Sequence, residues 1–259
     1  MSVDLFCHNK TAYQSAVSML DTTGKAAVIH PTGTGKSFIA LKLCEENQDK
    51  RVCWLSPSEY IFRTQIENWI AVSGSINSGT KKKKNKPGEY QNTTDQNKNK
   101  KQEKNNVKIV GEKFNIPPEL KNIYFYTYAK LMRMSEAEIA EINPDYIILD
   151  EFHRCGAAQW GAGVKRLREM YPKAKVLGLS ATNIRYLDNQ RDMAWELFDG
   201  NIASELTLGE AMVRRILPTP KYILSIYSYQ EQLKQYEKRA KQTKRKAVRD
   251  LAEKLLEQI

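Results

Sequence analysis

Apolar residues along this chain gather in short blocks set off by polar, Gly-containing and Pro-containing stretches. Ala26-Ala27-Val28-Ile29, Tyr146-Ile147-Ile148-Leu149 and Lys175-Val176-Leu177-Gly178-Leu179 have the length and composition of fully buried strands. Two more strands are expected, one leading into Leu55-Ser56-Pro57-Ser58 and one ending at Tyr126-Thr127-Tyr128. Between the blocks the pattern turns helical. Phe38-Ile39-Ala40-Leu41-Lys42-Leu43 has helical character, a helix is expected from near Glu59, and residues 134–142 read as a helix with Ser135 as N-cap and Glu138 completing a capping box. Residues 206–213 read as another helix, and Pro218 and Pro220 mark a boundary. Strands alternating with helices imply a mostly parallel α/β sheet covered on both faces.

Two segments fall outside this alternation. Residues 73–106 carry almost no apolar side chains and include the run Lys81-Lys82-Lys83-Lys84, so burial cannot offset their ordering entropy and a disordered insertion is expected. It is either a basic arm that grips a phosphate backbone or a tolerated solvated loop. Near the C-terminus, Val248, Leu251, Leu255 and Ile259 recur at helical spacing beside Lys and Arg, which predicts a basic amphipathic helix. It ends without a Gly, Asn or Pro stop signal, as though a further domain once followed. The expected organisation is a domain over residues 1–218 and a linker with a helical extension over residues 219–259.

The net charge of +11 over 259 residues resides mainly in these segments. Residues 81–108 hold ten Lys against Glu89, Asp95 and Glu103, and residues 221–259 hold ten Lys or Arg against five acids. The remainder is nearly neutral, so bulk charge alone does not argue for nucleic-acid binding. Cys7, Cys44, Cys53 and Cys155 show no Cys-x-x-Cys spacing, which with three His argues against structural zinc and suits a reducing cytoplasm. No apolar run approaches about 18 residues, so no membrane span or secretory signal is expected.

The strand ends carry the chemistry. Pro31-Thr32-Gly33-Thr34-Gly35-Lys36-Ser37 joins a strand to a helix, the setting a phosphate-binding loop needs. Glycines let backbone N–H groups turn toward a polyphosphate, and the helix N-terminus adds partial positive charge. Lys36 would reach the β and γ phosphates and Ser37 would ligate Mg²⁺. His30 stands where the loop pattern G-x-x-x-x-G-K-[ST] begins with Gly. Asp150 and Glu151 close the next strand, where open α/β sheets bind ligands. Asp150 would hold Mg²⁺ and Glu151 would polarise the attacking water. A third strand ends in Ser180-Ala181-Thr182.

The series Pro-Thr-Gly-Thr-Gly-Lys-Ser, Asp-Glu-x-His and Ser-Ala-Thr resembles the first RecA-like domain of superfamily two helicases, in the DEAD/DEAH and restriction-type translocase branches. The resemblance runs from about residue 5 to about residue 225, without the insertion. It implies an adenine-recognising role for Gln14, nucleic-acid contacts at Ser56, Pro57, Ser58, Thr127 and Tyr128, and coupling roles for His153, Ser180 and Thr182. Gln14 reads equally as a surface residue, Ser56-Pro57-Ser58 as a helix cap, and Thr127 and Tyr128 as ordinary strand residues. Many relatives continue Ser-Ala-Thr with Pro, where this chain has Asn183.

The resemblance implies ATP and Mg²⁺ as cofactors, DNA or RNA as partner, and an arginine finger from a second RecA-like domain in cis or in trans. The expected function is ATP hydrolysis driving movement on nucleic acid, weak in this chain alone. The competing reading is a nucleotide-dependent binding module without turnover, and an unrelated phosphate-loop kinase is a remoter third.

Overall fold

Three of the apolar blocks become neighbours at the centre of one sheet. The computed structural model describes residues 3–75, 116–186 and 190–221, with residues 234–236, 238, 239 and 242. In chain order, α1 (Cys7–Thr23), β1 (Lys25–Ile29), α2 (Lys36–Glu46), β2 (Val52–Ser56) and α3 (Glu59–Ser75) come first. They are followed by β3 (Ile123–Thr127), α4 (Tyr128–Arg133), α5 (Glu136–Ala140), β4 (Tyr146–Asp150), α6 (Ala158–Met170) and β5 (Lys175–Ser180). A small hairpin of β6 (Ile184–Arg185) and β7 (Arg191–Asp192), then α7 (Met193–Phe198), β8 (Ile202–Glu205) and α8 (Leu208–Val213), complete the described elements.

Six strands form an all-parallel sheet in the order β3-β2-β4-β5-β1-β8. Alternate side chains along each strand point to opposite faces, so two cores form. Ala26 and Val28 of β1, Trp54 of β2 and Ile148 of β4 meet Ala12, Ala16 and Leu20 of α1, Ile39 of α2 and Phe62 of α3. Ala27, Ile29, Leu55, Ile147 and Leu149 face the other way, against Leu131 of α4, Leu167 of α6 and Phe198 of α7. The result is a three-layer RecA-like α/β fold. Because the strands are parallel, β1, β2, β3, β4 and β5 all deliver their last residues to one edge, and the chemical residues lie there.

Local rules set the boundaries. Ser135 caps α5 and Glu138 returns the bond, as the spacing predicts; Thr207 and Glu210 make a second capping box at α8. Gly178 of β5 admits the ring of Phe198: a Cβ there would lie 2.2 Å from Phe198 Cζ. Phe198 in turn meets Phe152 edge-on at 5.0 Å between centroids. This pair anchors the chain directly after Glu151.

The structure departs from the sequence reading in several places. Residues 73–75 are the last turn of α3, with Ser73 buried, and not the start of the insertion. Tyr128 opens α4 and does not end β3. Leu206 precedes α8, and the edge strand β8 was not expected, because its four residues, three half-exposed and Glu205 exposed, carry no apolar alternation. Residues 76–106 of the insertion and the stripe Val248, Leu251, Leu255 and Ile259 lie outside the described residues.

The chain divides into two compact units, Met1–Pro218 and Thr219–Ile259. The sheet belongs to the first, and the residues described from 234 to 242 in the second are helical. Among the described residues no helix is long and apolar enough to cross a membrane.

Candidate functional site

The loop from β1 to α2 is shaped by two glycines and one buried asparagine. Gly33 and Gly35 have φ of 91° and 81°, a conformation that L side chains rarely adopt, and Gly35 is the N-cap of α2. Asn9 of α1 donates to the carbonyls of Thr34 and Gly35 at 2.9 and 3.2 Å. His8 Nε2 also lies 2.9 Å from the Thr34 carbonyl. These bonds engage the loop's carbonyls from the α1 side; the Phe38 amide turns back onto the Gly35 carbonyl at 3.0 Å, while the amides of Lys36 and Ser37, ahead of it, belong to the first turn of α2 and have no acceptor four residues back within the helix. The loop therefore presents donors, as an anion site requires. The Thr34 hydroxyl turns back onto the Pro31 carbonyl at 2.8 Å, a structural role, while Thr32 and Gly33 are exposed.

His30 fits because its backbone is not left-handed, so a side chain is allowed where the loop pattern has Gly. Its ring is buried, 2.8 Å from Ser204 Oγ on β8. Burial, with His8, Lys36 and Arg214 nearby, lowers its pKa from 6.5 to about 4.

Lys36 and Glu151 meet across the end of β5, with Nζ and Oε1 3.4 Å apart. Lys36 is only 7% exposed. Glu151 has φ 54° and ψ 49°, a left-handed backbone that costs a non-glycine residue about 1 kcal/mol. The turn is held on both sides: Arg154 donates its amide to the Glu151 carbonyl at 2.9 Å, and Tyr128 donates its hydroxyl to the Asp150 carbonyl at 2.9 Å.

Asp150 is buried and receives two side-chain donors on Oδ2, Ser56 Oγ at 3.1 Å and Gln65 Nε2 at 2.9 Å. Burial and the neighbouring Glu151 raise its pKa, opposed by the two hydrogen bonds and Lys36. Gln65 Nε2 also donates to Ser37 Oγ at 3.0 Å. Ser37 in the first turn of α2 and Asp150 at the end of β4 thus converge on one nitrogen of α3. Among the described residues no cluster of three or more His, Cys, Asp or Glu could hold a metal. A Mg²⁺ bound by one hydroxyl, one carboxylate, phosphate oxygens and water needs no such cluster, and Ser37 with Asp150 fits that donor set.

A second chain of contacts leaves Glu151 sideways. His153 Nδ1 lies 3.4 Å from Glu151 Oε2 and 2.8 Å from Ser180 Oγ. The Ser180 hydroxyl donates to the Thr182 carbonyl at 2.6 Å and accepts from the Thr182 amide at 3.2 Å. With its one hydrogen spent, Ser180 accepts from His153, so the Nδ1–H tautomer is present. Burial lowers the His153 pKa, opposed by Glu151 and helped by Arg154, Arg185 and Lys36. Asn183, in place of the relatives' Pro, donates to Asp192 at 3.0 Å and braces the β6–β7 hairpin.

The expected nucleic-acid contacts divide. Ser56 and Tyr128 are fully buried, Ser56 on Asp150 and Tyr128 stacked on Trp160 at 5.4 Å, so neither is exposed to a strand. Pro57, Ser58 and Thr127 are half-buried at the same sheet edge. Ser58 Oγ and Thr127 Oγ1 also accept the amides of Ile61 and Lys130 at 3.3 and 3.1 Å, capping α3 and α4. Gln14 is exposed on α1, and the α1 side chains that reach the loop are His8 and Asn9. Asn9 and Gln65 were missed by sequence reasoning. Asn9 had a signal, since Asn9, Ala12, Ala16 and Leu20 share the buried stripe of α1 and Gln14 lies off it.

The sequence model of the family described as "Type III restriction enzyme, res subunit" matches residues 2–185. Among solved structures, the ATP-dependent Type ISP restriction-modification enzyme LlaBIII bound to DNA superposes with TM-score 0.51 at 16% identity, over 83% of this chain and 16% of that one. The Hef helicase domain of Pyrococcus furiosus superposes with TM-score 0.50 at 14% identity, over 88% of this chain and 46% of that one. The chain therefore spans less than half the length of either structure, and at these identities the likeness is one of fold. A comparison with curated proteins gives no match.

Proposed function

Because the chain belongs to the type III restriction enzyme res-subunit family, within the superfamily two helicases, we propose that it is the ATP-binding wall of a nucleic-acid-dependent ATPase. The observation that carries this reading is the meeting of Lys36 with Glu151 beside the Ser37–Gln65–Asp150 group, at the mouth of a donor-lined loop. In this reading the loop amides and Lys36 bind the phosphates. Ser37 and Asp150 would hold Mg²⁺, which would supply neutralisation of phosphate charge. Glu151, released from Lys36 by the incoming phosphate, accepts a proton from the attacking water. His153, Ser180 and Thr182 carry the state of Glu151 toward the β6–β7 hairpin.

Residues 1–218 are proposed as the ATP-binding domain and residues 219–259 as a linker and helical extension. A second RecA-like domain, in cis or in trans, would supply an arginine finger worth on the order of 10³-fold in rate. DNA is the favoured strand, since the type ISP enzyme above is bound to DNA, and RNA is the other candidate. Pro57, Ser58 and Thr127 are the side chains placed to meet it. Four free thiols suit a cytoplasmic setting.

Phosphate release, measured with and without DNA or RNA, tests the proposal. A low basal rate that rises with added strand and disappears in Lys36→Ala is expected. ATP binding without release at any strand concentration would move the chain to the alternative, a nucleotide-dependent binding module.

A further inference from the structure

Gln65 contributes to neither the phosphate loop nor the acid pair in sequence, yet it touches both. Its Nε2 carries two hydrogens and meets two acceptors, Ser37 Oγ at 3.0 Å and Asp150 Oδ2 at 2.9 Å. Its Oε1 is buried without a hydrogen-bond partner among the described residues, so the amide's side-chain bonds come from Ser37 and Asp150 alone. A buried amide oxygen that accepts no bond is costly, and here the donor end of the same amide is held by two acceptors.

We infer that Gln65 is the positioning residue of a divalent-cation site, gathering the Ser37 hydroxyl and the Asp150 carboxylate before the cation arrives. The inference rests on the ATP-binding reading above. The two oxygens reach the site on separate elements, Ser37 on the first turn of α2 after β1 and Asp150 at the end of β4, with β5 lying between those strands. A free serine hydroxyl chooses among three staggered rotamers, and the bond to Gln65 selects one. Magnesium tolerates little departure from octahedral geometry at about 2.0–2.1 Å, so ligands already converged lose less freedom on binding it. Gln65 also belongs to the same stretch of chain as Ser56, the other donor to Asp150 Oδ2. The carboxylate is therefore oriented wholly from β2 and α3, although it is carried on β4.

The test uses the full chain and fluorescent ADP. Nucleotide affinity is measured in EDTA and then across a MgCl₂ titration, for the wild type and Gln65→Met, which keeps the shape of the side chain and removes the donor. Gln65→Leu serves if the Met variant does not fold by circular dichroism. The expected result is unchanged ADP affinity in EDTA, with the Mg²⁺ concentration for half-maximal tightening raised about 10- to 100-fold, the usual cost of losing a residue that orients metal ligands. A purely structural glutamine would lower the melting temperature and leave that concentration alone, which overturns the inference. A lower Mg²⁺ requirement overturns it too, because it would make Gln65 a competitor of the cation. Failure of the wild type to bind ADP at all would defeat the ATP-binding reading itself and the inference with it.

Discussion

Lys36 Nζ lies 3.4 Å from Glu151 Oε1, which pairs the proposed phosphate-binding cation with the proposed water-activating carboxylate. Lys36 opens α2 after β1 and Glu151 directly follows β4, and Ser180 at the end of β5 lies between those strands in the sheet order.

This pairing separates binding from turnover. Glu151→Gln keeps a side chain of the same shape beside Lys36 and removes the base, so ATP affinity is expected to hold or tighten while turnover falls by on the order of 10²- to 10⁴-fold. Lys36→Ala leaves Asp150 and Glu151 without their cation and should lose nucleotide binding itself. Nucleotide titration alongside phosphate release distinguishes the two patterns.

His153 and Ser180 act through one hydrogen bond of 2.8 Å, so their substitutions should not add. His153→Ala, Ser180→Ala and the double variant are expected to lose strand-stimulated turnover to a similar extent. A double variant whose loss equals the product of the single losses would show that the two residues work independently.

His30 makes stability pH-dependent. Its folded pKa of about 4 lies below the ordinary 6.5, so the unfolded chain takes up the proton first. The stability held at neutral pH is lost progressively as pH falls from about 6.5 toward 4, by on the order of 3 kcal/mol in all. Urea unfolding of the wild type and His30→Asn at pH 7.5 and 4.5 isolates this group from the carboxylates. The stability difference between the two proteins should shift toward the variant at the lower pH.

Tyr128 is buried, with its hydroxyl on the Asp150 carbonyl and its ring on Trp160. Tyr128→Phe preserves the stack and removes one buried hydrogen bond, at an expected cost of about 1 kcal/mol in urea unfolding. Direct nucleic-acid affinity should be unchanged in that variant, whereas Ser58→Ala or Thr127→Ala should weaken it. Loss of affinity in Tyr128→Phe without loss of stability would return Tyr128 to the strand-contacting surface.

The sequence made the edge of the sheet legible because chemistry there follows directly on short apolar runs: Ile29 leads to the phosphate loop, Leu149 to Asp150 and Leu179 to Ser180. It made α5 legible through Ser135 and Glu138. Gln65 and Asn9 were not legible as site residues in the same way. Each is a single polar residue on an amphipathic helix, and its partners lie 28 and 25 positions away in the chain, Ser37 for Gln65 and Thr34 for Asn9. Gln14 drew attention through the family resemblance, while the buried stripe of α1 ran through Asn9. β8 escaped because an edge strand with polar, half-exposed residues has no period to read.

Asp150 takes both of its side-chain donors, Ser56 and Gln65, from one uninterrupted stretch that also contains Pro57 and Ser58. The end of β2 and the body of α3 thus share one acceptor atom, so a change in the position of either element alters the solvation of the same carboxylate oxygen.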